Sequence, residues 1–265
     1  MGTMLRRYGL RSDERPIMMN MRAADAVAEV HRAYAAAGSD IIYANTFGAD
    51  ARALTGTGYT PRDVITEAVK IAKNAAPDVR AALDICPIGE LVEPNGDVTE
   101  DEAYRLFAEQ VIAGTDAGAD LIVVETMYDL SELRIALRAA RENSALPVFA
   151  TMTFDKSGRT YMGASPAALA ALADEMGIDA VGINCSLPPD ESLPVFLELA
   201  RHTSLPLIAK PNAGLPDADG NYAVAPEDFA AAMRPFIDAG AAYIGACCGS
   251  SPEFIGELRG LFQCH

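Results

Sequence analysis

Three of the five cysteines stand where two apolar runs end. Cys185 closes Ala180-Val181-Gly182-Ile183-Asn184, and Cys247-Cys248 close the run from Ala241 to Ala246. If both runs are strands of one parallel sheet, three thiols meet at one rim from strands that are not sequence neighbours. Three thiolates converging on one face make a tetrahedral zinc site with a free fourth position, the pattern of a catalytic rather than a structural site. Both members of the vicinal pair can face one ion only where the chain turns sharply, and Gly245 and Gly249 permit such a turn. The competing readings are three small core hydrophobes or a vicinal disulfide, which bond geometry and a reducing compartment disfavour.

Such a set favours a particular chemistry. A free thiol is mostly protonated at neutral pH, and coordination deprotonates it outright. With a substrate sulfur in the fourth position, four thiolates around a dication sum to a net charge of about −2. That keeps the substrate sulfur electron-rich and suits its alkylation. Hydrolysis needs an electron-poor metal that acidifies water. The three residues alone therefore point to a zinc-activated small thiol accepting a methyl or alkyl group.

Other polar residues fall at the ends of apolar runs. Asn45-Thr46 end one run, Asp84 another, Glu125-Thr126 a third, and Lys210-Pro211-Asn212 a fourth. Glu125 reads either as a site carboxylate or as a structural one paired with a neighbouring donor. Asn212 is explained as readily by turn formation. Cys86 has no second ligand near it in sequence and reads as a packing residue. Only three histidines exist, so Ser-His-Asp or Cys-His catalysis has little support. His31 on a helix and His202 near a helix end read as solvated or capping residues. Cys264 and His265 lie at the terminus, where fraying is the rule.

These residues need elements to position them, and one local pattern recurs. An amphipathic helix ends at a glycine and an apolar strand starts two or three residues later, at Gly38, Gly118, Gly177 and Gly240. Glycine suits the left-handed residue just past a helix end, and the continuous apolar run that follows reads as a strand buried on both faces. Further runs between these copies bring the strands to seven: about 40–46, 79–85, 120–125, 147–154, 180–184, 205–210 and 241–246. Val27, Val30 and Tyr34 form one helical stripe, and Leu106, Val111 and Ile112 contribute to another. Stretches 187–193 and 213–225 read as βα loops. The fold class expected is α/β, a TIM (β/α)8-type barrel with its first strand missing or shortened, in a single domain over 1–265. A doubly wound sheet would need a glycine-rich phosphate loop after its first strand, and none is present.

Composition excludes other classes. Half of the 265 residues are hydrophobic and 22% are charged, as in an ordinary globular protein. Subtracting 37 acidic from 21 basic residues leaves a charge of −16, which argues against nucleic acid and anionic membranes as partners. No apolar run approaches the roughly 20 residues needed to span a bilayer. No apolar segment follows Arg6 and Arg7 to make a secretory signal, so a cytoplasmic location is expected. No residue set points to an oligomeric state.

At this point the sequence resembles the homocysteine S-methyltransferase family, and within it the homocysteine-binding module of cobalamin-dependent methionine synthases. The matching stretches are Met1-Gly2-Thr3-Met4-Leu5, Ala44-Asn45-Thr46-Phe47-Gly48-Ala49, Glu125-Thr126-Met127, Met152-Thr153-Phe154-Asp155, Gly182-Ile183-Asn184-Cys185-Ser186, Lys210-Pro211-Asn212-Ala213-Gly214 and Gly245-Ala246-Cys247-Cys248-Gly249-Ser250. The resemblance implies a (β/α)8 barrel with zinc on Cys185, Cys247 and Cys248, and homocysteine as the thiol that completes the tetrahedron. It implies that Glu125 holds the substrate amino group, that Asn212 lies near the metal and takes the fourth position when substrate is absent, and that the Asn45-Thr46 loop lines the pocket.

Family members begin with a strand ending in Asp-Gly directly before the segment matching Met1-Gly2-Thr3. The sequence starts after it, which accounts for the eighth strand. In the family, backbone amides of that loop hold the substrate carboxylate, so another small thiol stays open as acceptor. Family synthases continue into pterin- and corrinoid-binding domains, so the resemblance implies a methylcorrinoid (methylcobalamin) on a separate partner protein as donor. S-methylmethionine or a betaine is the alternative donor, and a non-catalytic zinc- or corrinoid-protein-binding module is the alternative to an enzyme.

Overall fold

The computed structural model describes residues 1–215 and 222–263. Among them, seven parallel strands lie side by side in chain order: β1 (Ile41–Tyr43), β2 (Arg80–Ile85), β3 (Leu121–Met127), β4 (Val148–Met152), β5 (Ala180–Asn184), β6 (Leu207–Lys210) and β7 (Ala241–Ile244). Short helices α1 (Gly2–Arg7) and α2 (Met19–Arg22) precede α3 (Ala24–Ala36), which leads into β1. Each strand is then followed by its helix: α4 (Pro61–Ala75), α5 (Glu100–Asp116), α6 (Leu130–Asn143), α7 (Pro166–Met176), α8 (Pro189–Ala200), α9 (Pro226–Asp238) and α10 (Pro252–Gln263). This α/β order is that of a TIM-type barrel with one strand missing. All seven strands expected from the sequence are present, most of them trimmed at the ends. β3 instead runs on to Met127.

Local chemistry sets the punctuation. Helices α4, α7, α8 and α9 start with proline in the first turn, where its missing N–H costs nothing and its φ is already helical. Thr60 and Asp63 form a reciprocal capping box on α4, and Thr99 and Ser165 cap α5 and α7. At the other ends, Gly38, Gly118, Gly177 and Gly240 all have positive φ (96°, 86°, 60° and 92°). The amides of Ser39, Ala119 and Ile178 bond back to the carbonyls of Tyr34, Gly114 and Ala173. These bonds satisfy helix-end carbonyls and turn the chain into the next strand.

The chain forms two compact units. The first comprises Met1–Glu125 and Ser131–Phe149. In it β1 pairs with β2 from Ile41 opposite Arg80, and β2 with β3 from Ala82 opposite Leu121. Met4, Leu5, Met19, Val27, Val30 and Ile71 form a cluster against which Tyr34 packs, so the expected stripe on α3 is in the core. On α5, Leu106 and Val111 are buried but Ile112 is 38% exposed. Ile112 sits next to Val111 in sequence, about 100° around the helix, and falls on the outer face.

The second unit comprises Thr126–Leu130 and the chain from Ala150 onward. Here β5 pairs with β6 and β6 with β7, and Thr153 donates from its backbone to Met127. Strand β5 is buried at every position, as parallel strands covered on both faces must be.

His31 departs from its expected solvated or capping role. It is 1% exposed on α3, and its Nε2 has no hydrogen-bond partner. Burial, helped by the nearby N-terminal charge, pushes its pKa down to about 4. The unfolded chain takes up this proton below about pH 6.5 and the folded chain only near 4. Stability therefore falls as pH drops through that window. We predict that His31→Leu, which removes the titration, gains on the order of 3 kcal/mol over the wild type between pH 7 and pH 4, read by urea unfolding at each pH.

Candidate metal and substrate site

The three predicted cysteines come together in the second unit. The sulfurs of Cys185, Cys247 and Cys248 all lie within 4.8 Å of one another, with Cys185 and Cys248 3.9 Å apart. Sulfurs on a tetrahedral zinc with bonds of about 2.3 Å would stand about 3.8 Å apart, so the set fits that ion with little movement. Cys185 and Cys247 are half-buried and Cys248 is exposed, which leaves one side of the set accessible.

The end of β6 spaces these sulfurs. The Lys210 carbonyl accepts from the Cys185 amide at 3.0 Å, and the Pro211 carbonyl from the Cys247 amide at 2.9 Å. The Asn212 Oδ1 accepts from the Cys248 amide at 3.2 Å, and the Ala213 amide donates to the Cys248 carbonyl at 2.9 Å. Asn212, itself buried, also donates from its amide to Leu187 just past the Cys185 turn. Residues 210–213 thus clamp the β5 turn on one side and the β7 turn on the other.

The turns themselves are unusual. Cys185 and Ser186 have φ of 60° and 58°, and Thr126 at the end of β3 has 63°. A non-glycine residue in this left-handed region costs on the order of 1–2 kcal/mol, and a β-branched threonine is a rare occupant. Gly249 (φ 83°) turns the chain after Cys248, and a Cβ there would lie 2.2 Å from the Tyr222 ring. The other glycine expected to turn the chain, Gly245, has no positive φ; a Cβ on it would press on the Lys210 side chain at 3.2 Å.

Electrostatics favour the neutral thiols. The Cys247 hydrogen bond favours the Cys185 thiolate, but the Cys248 contact and burial outweigh it and push the Cys185 pKa up to about 11. Cys248 likewise gains from Cys185, loses more to Cys247 and burial, and rises to about 11. Crowded thiols such as these ionise together only where a positive charge offsets their repulsion.

A polar hub missed in the sequence reading sits beside the cysteines. Asn184, 2% exposed, accepts at Oδ1 from the Thr126 amide at 2.9 Å and from the Thr151 hydroxyl at 2.7 Å. Its Nδ2 donates to Thr126 Oγ1 at 2.8 Å and approaches Cys247 Sγ at 4.0 Å. The one signal in the sequence was a polar residue ending an otherwise apolar run, directly before a cysteine.

In the first unit, Glu125 lies near the end of β3 and is buried, as are Asn45 and Thr46 after β1 and Asp84 on β2. Thr46 Oγ1 bridges the Asp84 amide and carbonyl at 2.9 and 2.8 Å. Asn45 Nδ2 donates to the Pro16 carbonyl and to Asn20 Oδ1, while Asn20 donates to the Asn45 carbonyl. Asn45 therefore fastens the segment ahead of α3 to the end of β1. Cys86 is buried, donates to the Pro87 carbonyl, and has its thiol pushed well up by burial and by Asp84 and Asp50, as a packing residue should be. His202 contacts Glu198 one helical turn away. Cys264 and His265 lie outside the described residues, as do residues 216–221 of the expected 213–225 loop.

Comparison with known proteins places this chain in a family. The homocysteine S-methyltransferase family model matches residues 1–262, so the chain belongs to the homocysteine S-methyltransferase family, a class of methyltransferases. It is 30% identical over 258 residues to the methionine synthase of Mycobacterium tuberculosis and 29% identical to that of Mycobacterium leprae, covering 91% of this chain in each case. The chain spans only about a fifth of those relatives, 22% and 21% of their lengths. Among solved structures, the metallated form of the homocysteine methyltransferase MmuM from Escherichia coli superposes with a TM-score of 0.86 at 22% identity, covering 98% of this chain and 93% of that one. Its apo form gives 0.78 at the same identity, covering 98% and 92%. At this identity the structures establish a shared fold.

The glycine of Gly182-Ile183-Asn184-Cys185 has a steric reason. A Cβ at Gly182 would lie 2.0 Å from the Ile208 carbonyl oxygen of β6, and backbone cannot step aside. Gly182→Ala is expected to destabilise the chain by about 3 kcal/mol or more in denaturant unfolding. Gly256→Ala, on an open face of α10, should instead stabilise it by up to about 1 kcal/mol.

Proposed function

We propose that this chain transfers a methyl group to the thiol of homocysteine, forming methionine, at a zinc held by Cys185, Cys247 and Cys248. The observation that carries the reading is the gathering of three thiol sulfurs within 4.8 Å, in a chain whose family is defined by that acceptor. Zinc bound there supplies the charge that makes a substrate thiol a thiolate at neutral pH.

The chain's own residues would do the rest. The clamp of residues 210–213 holds the three sulfurs in place before substrate arrives, so little reorganisation accompanies binding. The exposed side at Cys248 admits the substrate thiol. Glu125, a buried carboxylate at the end of β3, is proposed to bind the substrate ammonium, and its neighbour Thr126 is tied to the cysteine turn through Asn184. Asn212, against the Cys248 amide, is proposed to border the substrate sulfur. Asn45 is proposed to shape the substrate pocket by fixing the end of β1. In the transfer, the substrate sulfur attacks the methyl carbon in line. The S–C bond forms as the methyl–donor bond breaks, the electron pair stays with the donor, and the thiol proton has already gone to solvent.

Residues 1–265 are proposed to act as one catalytic module in a reducing cytoplasmic setting, where such thiols persist. The donor is proposed to be a methylcorrinoid carried by a separate protein. That reading is supported by the methionine synthases, of which this chain matches about a fifth. A panel of methylcorrinoid, S-methylmethionine and betaine donors tests it, crossed with homocysteine and simple alkyl thiols as acceptors. Turnover only with alkyl thiols would move the acceptor. Zinc binding without turnover under any pairing would leave a binding module.

Two substitutions follow. Cys185→Ala or Cys247→Ala should lose most of the zinc in metal analysis and lower methyl transfer by about 100-fold or more. Glu125→Gln should keep its zinc and raise the KM for homocysteine by about 10- to 100-fold, the loss expected for a charge-assisted hydrogen bond.

A further inference from the structure

We infer that Asn184 is a positioning residue for the metal site: it orients the Cys247 sulfur and sets its donor strength through an N–H···S contact, while tying the ends of β3 and β4 to the cysteine turn. The inference rests on the zinc reading above and extends it to a residue that touches neither metal nor substrate.

The orientation of the amide is fixed by chemistry. The Thr126 backbone N–H can only donate, so the atom it meets at 2.9 Å is the Asn184 oxygen. The Thr151 hydroxyl, 2.7 Å from the same oxygen, is then a donor too. The Asn184 nitrogen must therefore face the other way, with two hydrogens to place. One goes to Thr126 Oγ1 at 2.8 Å. The other is directed at Cys247 Sγ, 4.0 Å away. Asn184 is 2% exposed, so water does not compete for this hydrogen.

Each partner in this set is itself constrained. Thr126 holds φ at 63° and meets Asn184 with both its amide and its hydroxyl. Cys185, the next residue after Asn184, holds φ at 60°. One amide thus anchors two strained turns and points its remaining donor at a sulfur of the third. A donor aimed at a thiolate disperses its charge and fixes its direction, the role that outer hydrogen bonds play around metal ligands.

Asn184→Asp tests this with minimal change of shape. It keeps an oxygen for Thr126 and Thr151 but replaces the donor facing Cys247 with an acceptor. Zinc affinity, measured by competition with a chelator, is expected to fall about 10- to 100-fold, and the cobalt-substituted protein should show a shifted thiolate-to-metal absorption band. Thr151→Val, which removes only the hydroxyl bond to Oδ1, should lower the melting temperature yet keep zinc affinity within about threefold of wild type. Equal zinc losses in the two variants, or wild-type zinc affinity in Asn184→Asp, would overturn the inference. The unaltered protein gives a second reading that needs no variant to fold. Loading with metal should move the Asn184 side-chain amide proton downfield in NMR spectra, and an unmoved resonance would count against the contact. A wild-type chain that binds no zinc would sink the parent reading, a result separate from any of these.

Discussion

Three sulfurs that follow two different strands lie within 4.8 Å of one another, and the end of a third strand lying between them holds them there. Lys210, Pro211 and Asn212 each accept a hydrogen bond from the backbone amide of one cysteine. Ala213 returns one to Cys248. Because the contacts use backbone amides of the cysteines, the sulfurs themselves stay available to a metal. The Asn212 side chain takes the place of a backbone carbonyl at the Cys248 amide. Without this clamp, sulfurs whose thiolates repel one another would have no reason to gather.

The clamp depends on close packing elsewhere in the same unit. Strands β5 and β6 approach until no side chain fits at Gly182, and that approach brings Lys210 beside Cys185. Past the strand end the chain turns at once, through left-handed Cys185 and Ser186. Such strain survives only where neighbouring contacts over-determine it, and the bonds from Lys210, Leu187 and Asn184 do so. The first unit shows the same economy with different parts: Thr46 bridges the backbone amide and carbonyl of Asp84, and the Asn20–Asn45 pair joins the residues before α3 to the end of β1.

Much of this was legible in the residues. The recurring helix–glycine–strand pattern marked four strands and apolar runs between its copies the other three, because the left-handed turn at a helix end selects glycine and a doubly covered strand selects apolar side chains. The cysteines were legible as a set because each followed such a run. Ile112 and His31 were misplaced for one reason: periodicity tells which face of a helix is apolar, not how far its burial extends around the helix. Asn184 was given no role of its own because a polar residue at the end of an apolar run does not say what it meets. Its partners, Thr126 and Thr151, lie on other strands and far away in sequence.

Sequence alone determined the class of fold, the succession of its strands along the chain and the three cysteines as a candidate set of ligands. Those follow from local rules, namely the propensity of a turn, the period of a buried strand and the affinity of sulfur for a soft cation. Only the tertiary structure decided that the three sulfurs stand close enough to share an ion, that Asn212 meets the Cys248 amide, and that Asn184 faces Cys247. Those are distances between residues far apart in the chain, and they arise from the pairing register of β5, β6 and β7, which no single segment encodes.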